Sequence, residues 1–237
     1  MAEYRHEPKE SMSKVNPQSQ VTRTRADVKA NYDKLSPWYD VLAGSAEQKY
    51  KDVGLRKLNV KSGEQVLEIG FGTGQCLLSL AQAAGHAGKV YGVDLSEGMA
   101  GVARTKVTKA GLSQRVDLIC ADAIALPYPE NSMNAIFMSF TLDLFETSEI
   151  PIVLGECHRV LAPAGRICVV AMGIREESNL MVSLYDWAHA RFPNMIDCRP
   201  IHSHRALAEA GFSVEDTSEM SMYALPVDIV LASVNKP

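Results

Sequence analysis

Val66-Leu67-Glu68-Ile69-Gly70-Phe71-Gly72-Thr73-Gly74-Gln75 is an apolar run that breaks into three glycines and then opens a helical pattern. Strand, glycine turn and helix in that order form the usual nucleotide-binding corner of an open α/β sheet. The glycines let backbone approach a ligand closely, and the first turn of the helix offers unpaired N–H groups and a partial positive charge. Outward from this corner the chain alternates short β-rich runs with helical spacing: Gln65–Gly70, Gly74–Ala84, Lys89–Val93, Glu97–Ala110, Arg115–Cys120, Asn134–Phe140, Glu149–Leu161 and Arg166–Met172. Strands that are almost continuously apolar and separated by helices belong to a parallel sheet covered on both faces. The pattern predicts a doubly wound, mostly parallel α/β fold.

The flanks are less regular. Residues 1–25 are polar, with Pro8, Pro17 and no sustained period, and are expected to form a flexible arm ahead of one domain spanning 26–237. Val28, Tyr32 and Leu35 have helical spacing that closes at Ser36-Pro37, which predicts a helical lid over 26–59. Residues 173–211 are expected to be a substrate-side insert, with a helix over Asn179–Phe192, a loop through Pro193 and Pro200, and a helix from Ser203 to Ala210 that Gly211 ends. Phe212–Thr217 and Val227–Val234 are predicted to form an antiparallel hairpin at the sheet edge.

Composition excludes several function classes. The 237 residues are 46% hydrophobic and 22% charged, ordinary for a globular chain, and 24 Lys+Arg against 28 Asp+Glu leave a net charge of −4. That balance lacks the basic surplus of a nucleic-acid binder. No apolar stretch approaches the ~20 residues of a membrane span, nor is there a secretory signal, so the expected location is the cytoplasm. Five cysteines, at 76, 120, 157, 168 and 198, form no C-x-x-C pair, and Cys157 and Cys168 are expected to be buried thiols. His202 and His204 lack nearby acidic or thiol partners, so no metal site is expected.

Charge and spacing identify the ligand. The loop is G-x-G-x-G, with Gln75 where the dinucleotide fingerprint has its third glycine, and Glu68 just before it would repel a pyrophosphate. An ionised Glu68 favours a ligand carrying an ammonium and a sulfonium, which points to S-adenosylmethionine. Its carboxylate would meet the N–H groups around Gly72–Gln75, including Thr73 and Gly74, and its ammonium the carbonyls near Gly70 and Glu68. Asp94 ends the second strand 20 residues after Gly74, the offset of a carboxylate that receives two ribose hydroxyls. Asp122 and Ala123 end the third strand and would meet the adenine, between Leu95 and Met99. Asp94 and Asp122 also suit plain helix or turn caps, and Leu95 and Met99 plain core positions.

With those residues in view, Tyr32 to Val170 resembles the class I S-adenosylmethionine-dependent methyltransferases, and within them the ubiquinone/menaquinone-biosynthesis type. The resemblance rests on Tyr32-Asp33 and Tyr39-Asp40, on Val66–Gly74, on Tyr91 to Met99, on Ala121-Asp122-Ala123 with Leu126-Pro127-Tyr128, and on Glu156–Gly165. It implies a Rossmann-like seven-stranded sheet in the order 3-2-1-4-5-7-6 with the last strand antiparallel. It also implies cofactor contacts at Glu68, Gly70, Gly72, Gly74, Asp94, Leu95, Asp122 and Ala123. Tyr39 and Ser139 complete the expected cofactor set. After the fourth strand the quinone enzymes carry Gly-Leu-Arg-Asn, whereas this chain has Ser139-Phe140-Thr141-Leu142-Asp143-Leu144-Phe145.

Methyl transfer to a small-molecule acceptor is mainly a matter of holding two partners aligned in a dry site, and a general base is needed only when the acceptor must lose a proton. The candidates are Asp143, which interrupts an apolar run, Tyr32, and His189, which shares a helix face with Tyr185 at i, i+4. Asp143 suits an N-cap equally well, and Tyr32 and Tyr39 suit an aromatic lid. Convergence of Cys76, Cys120 and Cys198 would instead suit arsenite. Two other classes compete: an NAD(P)-dependent oxidoreductase on a related fold, and a non-catalytic S-adenosylmethionine-binding protein.

Overall fold

The computed structural model describes residues 45–174, 199–223 and 225–236, together with Ala30, Asp33 and Ser36. Seven strands form one sheet: β1 (Gln65–Ile69), β2 (Lys89–Asp94), β3 (Val116–Cys120), β4 (Met133–Ser139), β5 (Leu161–Met172), β6 (Phe212–Met222) and β7 (Leu225–Val234). Their order is β3-β2-β1-β4-β5-β7-β6. β3 to β5 run parallel, and β7 enters antiparallel between β5 and β6. This is the expected doubly wound topology.

The near-continuous apolar strands follow from cover on both faces. On one side α1 (Ser45–Leu58), α2 (Gln75–Ala84) and α3 (Glu97–Lys109) bury Tyr50, Leu58, Leu77, Leu80 and Val107 against Val66, Phe137 and Val170. On the other, α4 (Ile150–Val160) and α5 (Ser203–Glu209) bury Val153, Leu154 and Leu207 against Leu67, Ile136 and Val169. Local signals set the helix ends. The Ser96 hydroxyl accepts the Met99 N–H and Glu97 occupies the positive end of α3, while Lys106 and Lys109 occupy its negative end.

Three boundaries differ from expectation. Residues 45–58, assigned from sequence to a lid, form α1 and lie flat on the sheet with Tyr50 fully buried. A Cβ on Gly54 would stand 2.7 Å from Val170 and 2.9 Å from Phe137, so the helix touches the sheet with its backbone. Within 173–211, α5 packs on α4, β6 and β7 as part of the sheet's cover. The terminal hairpin is longer than its apolar segments: β6 and β7 pair as far as Met222 and Leu225, beyond the Met172–Val227 pair that ends β5. The polar residues Ser218, Glu219 and Ser221 hide the far half of β6 in the sequence because the edge strand is only partly covered. The arm 1–25 and the helix over 179–192 lie outside the described residues. Among the described residues no helix is long and apolar enough to cross a membrane.

Candidate functional site

The carboxyl ends of β1, β2, β3 and β4 meet at one edge of the sheet, where open α/β folds gather their ligands. The glycine corner is tied to its neighbour by Gly70 N–H donating to the Val93 carbonyl at 2.7 Å, and it closes on itself through Gly74 N–H to the Phe71 carbonyl at 2.9 Å. All three glycines have positive φ, at 71°, 52° and 82° for Gly70, Gly72 and Gly74. Their surroundings differ. A Cβ on Gly70 would stand 2.1 Å from the Thr141 hydroxyl and one on Gly74 2.9 Å from Ala103, whereas one on Gly72 would meet nothing within 4 Å. The protein itself fills the space above Gly70 and Gly74, and leaves a cradle above Gly72.

Asp94, at the end of β2, faces that cradle. One carboxylate oxygen accepts the Gly72 N–H at 2.8 Å and the other the Ser96 N–H at 2.9 Å. Burial raises its pKa against these backbone donors, and the Asp33 charge adds to the rise. Glu68, in β1, is 2% exposed, and its Oε2 has no hydrogen-bond partner among the described residues. Burial holds its carboxyl well above the usual range; Lys51 opposes the shift and Asp94 reinforces it. In the empty site burial thus works against the charge that its place in the sequence suggests, and Lys51 works for it. Lys51 stays charged: burial alone would lower its pKa, but Glu47, paired with it at 2.8 Å, outweighs that together with Cys76 and Glu68.

At the third strand, Ala121 N–H donates to the Asp94 carbonyl, so Asp122 follows β3 directly beside the β2 end, and its side chain accepts the Ile124 N–H at 3.1 Å. Ala123 is buried, Leu95 half-buried and Met99 only 1% exposed, which makes Met99 mainly a core residue of α3. At the fourth strand, Ser139 and Thr141 are buried, Thr141 back-bonds to the Ser139 carbonyl, and Phe140 between them has φ 50°. Phe140 stands edge-on to Tyr50 with ring centres 6.3 Å apart. The next turn is a 3₁₀ helix, Leu142–Leu144, that carries Asp143.

Asp143 is fully buried, and its Oδ2 accepts the Met172 N–H at 3.0 Å. Its carbonyl accepts the Arg199 N–H at 2.8 Å, and Arg199 forms a two-pronged ion pair with Glu146 at 2.6 and 2.9 Å. Asp143 thus ties the end of β4 to the end of β5 and to the segment before α5. Burial pushes the Cys76 thiol far up and the Cys120 thiol up to about 11. Cys157 and Cys168 are buried as expected, with thiols near 12. His202 and His204 are exposed, and no acidic, thiol or imidazole cluster among the described residues could hold a metal. Tyr32, Tyr39, His189 and Cys198 lie outside the described residues.

Three residues beside the site were not singled out from the sequence. Lys51 comes from α1, which its weak periodicity concealed. Thr141 closes over Gly70, and Asp33 reaches the start of α3 across 63 positions of chain. Asp33 had a signal, the Tyr32-Asp33 pair, but nothing local says what it touches.

Residues 66–165 match the methyltransferase domain family. The chain is 34% identical over 148 residues to the demethylmenaquinone methyltransferase of Geobacillus stearothermophilus, covering 62% of this chain and 61% of that relative. It is 30% identical over 201 residues to the ubiquinone/menaquinone biosynthesis C-methyltransferase of Azotobacter vinelandii, covering 82% and 77%. The chain thus spans a little under two thirds of the demethylmenaquinone methyltransferase it matches. Among solved structures, the [4+2]-cyclase SpnF superposes with a TM-score of 0.74 at 22% identity over 90% of this chain and 97% of its own. A S-adenosylmethionine-dependent methyltransferase from Aquifex aeolicus superposes at 0.62 and 24%, over 87% and 98%. Both of these relatives are methyltransferases rather than oxidoreductases.

Proposed function

This chain belongs to the class I S-adenosylmethionine-dependent methyltransferases, and on that premise we propose that it transfers a methyl group from S-adenosylmethionine to a small, apolar, ring-bearing acceptor. One juxtaposition carries the reading: a buried Glu68 whose Oε2 lacks a hydrogen-bond partner among the described residues, beside a cradle over Gly72 that faces Asp94. The bound cofactor supplies a methyl already activated on a sulfonium. The chain's own residues bind and orient. Glu68 takes the ammonium, whose positive charge offsets the burial that disfavours an ionised carboxylate there. The backbone N–H groups from Thr73 to Gln75 receive the carboxylate, helped by the positive end of α2. Asp94 keeps its backbone bonds to Gly72 and Ser96 and uses its remaining lone pairs for the two ribose hydroxyls. Asp122 accepts from the adenine amino group, with Leu95 along the ring and Ala123 leaving room.

For the acceptor, the relatives' names favour a quinone-like ring. Asp143, buried on Met172, is assigned to hold the ends of β4 and β5 together, while His189 and Tyr32 remain the proposed proton acceptors. The net charge of −4 supports a small molecule rather than nucleic acid, and a cytoplasmic setting is proposed with it.

Titration calorimetry with S-adenosylhomocysteine tests the cofactor. Ligand at 100 times its dissociation constant should stabilise the protein by about 2.7 kcal/mol. Asp94→Ala should lose roughly 1.5–3 kcal/mol of binding, having removed charge-assisted bonds from a buried site. Binding of NADH but not of S-adenosylhomocysteine would sink the reading. Mass spectrometry across quinol, phenol, amine and thiol acceptors should then find a gain of one methylene on the ring acceptors. Cofactor binding without a mass gain on any of them would instead make this a non-methylating member of the fold.

A further inference from the structure

We propose that Asp33 is a positioning residue for the ribose end of the cofactor site, and that Asp33 and Ser36 form a clasp whose seating on α3 is coupled to cofactor binding; the inference rests on the cofactor reading above. Asp33 sits at a junction. Its Oδ1 accepts the Ser96 hydroxyl at 2.5 Å and the Gly98 N–H at 2.9 Å. Ser96 is the residue whose N–H holds one oxygen of Asp94, and Asp94 holds the Gly72 N–H with the other. A continuous run of short bonds therefore leads from Asp33 through Ser96 and Asp94 to the open glycine of the cradle.

The clasp has a seat shaped for it. A Cβ on Gly98 would stand 3.0 Å from both the Cα and the carbonyl oxygen of Asp33 and 2.8 Å from the Ser36 hydroxyl. Ser36 is itself buried and donates to the Asp33 carbonyl at 3.0 Å, which folds the clasp into a turn. Gly98 has no need of a positive φ, so the approach of Asp33 and Ser36 accounts for a glycine in the first turn of α3.

Chemistry supplies the coupling. Asp33 orients the Ser96 hydroxyl and, with the positive end of α3, fixes the loop that carries Asp94. It is also a second negative charge close enough to raise the Asp94 pKa. Ribose hydroxyls donating to Asp94 disperse its charge and ease that repulsion, so an occupied site favours a seated clasp, and a seated clasp favours binding by the same factor.

The experiment compares wild type, Asp33→Ala, Asp33→Asn and Gly98→Ala in the full chain. It reads S-adenosylhomocysteine affinity by calorimetry, apo melting temperature, and the rate of tryptic cleavage after Lys34, with and without S-adenosylhomocysteine. Asp33→Ala and Gly98→Ala should bind at least tenfold more weakly, with apo melting temperatures close to wild type. Asp33→Asn keeps an acceptor oxygen and should fall by less than threefold. S-adenosylhomocysteine should slow cleavage after Lys34 at least fivefold in wild type and much less in the two disruptive variants. Wild-type affinity in both Asp33→Ala and Gly98→Ala overturns the inference alone. Absence of wild-type binding overturns the cofactor reading and the inference with it. Losses of affinity that only track losses in melting temperature, with Asp33→Asn no better than Asp33→Ala, reduce Asp33 to a structural cap and overturn the coupling.

Discussion

Gly70, Gly72 and Gly74 are alike in sequence and in the sign of φ, yet they do different work. Gly70 is required by Thr141 and Gly74 by Ala103, both parts of the protein, whereas the space over Gly72 is open. Gly70→Ala should therefore harm folding, because its Cβ would overlap a hydroxyl held by the Ser139 carbonyl, and the positive φ adds strain. Gly72→Val should leave a folded protein, destabilised only by its φ, that no longer binds S-adenosylhomocysteine. Denaturant melts and calorimetry on both variants separate the two roles; unchanged binding by a folded Gly72→Val would show that Gly72 does not face the ligand.

Among the elements, α1 shows how packing overrides a weak local signal. Its polar sequence looks like a connector, but Tyr50 and Leu58 are buried, the Tyr50 hydroxyl donates to the Ser221 carbonyl, and Arg166 grips the helix's carboxyl end through the carbonyl of Leu58 while pairing with Glu64. Gly54 allows that contact. Gly54→Val should cost about 1–3 kcal/mol in a chemical denaturation series, because neither Val170 nor Phe137 can yield inside a packed sheet. An unchanged midpoint would mean that α1 rides clear of the sheet. The same element brings Lys51 toward Glu68, so its seating also bears on the charge state of the site.

For the whole molecule, the consequence of burying Glu68 is a pH dependence. Its folded pKa lies above the ordinary 4.5, so the native state holds a proton that the unfolded state releases. Stability from that proton is complete below about pH 4.5 and is lost as pH rises through the raised value. Glu68→Gln carries no such proton. The variant should match wild type near pH 4 in denaturant midpoint and exceed it near pH 8, while binding S-adenosylhomocysteine more weakly. Binding to wild type should also release a proton from Glu68, read as a dependence of the calorimetric enthalpy on the buffer's ionisation enthalpy. Parallel pH profiles for the two proteins would show that Glu68 is ionised in the empty site.

The sequence by itself determined the sheet, its glycine corner and the acidic ends of its second and third strands. These are properties of a few neighbouring residues: apolar runs of strand length, glycines next to a helix start, a carboxylate a fixed distance downstream. Tertiary structure alone decided which features depend on residues far apart in the chain. It turned 45–58 from a lid into sheet cover, extended β6 through polar residues along the edge, and buried Asp143 on the Met172 amide. It also raised the pKa of Glu68 by burying it, and set Asp33 on the first turn of α3. A carboxylate's charge depends on what surrounds it, and a glycine's purpose on what approaches it, and both are fixed only when the chain has closed.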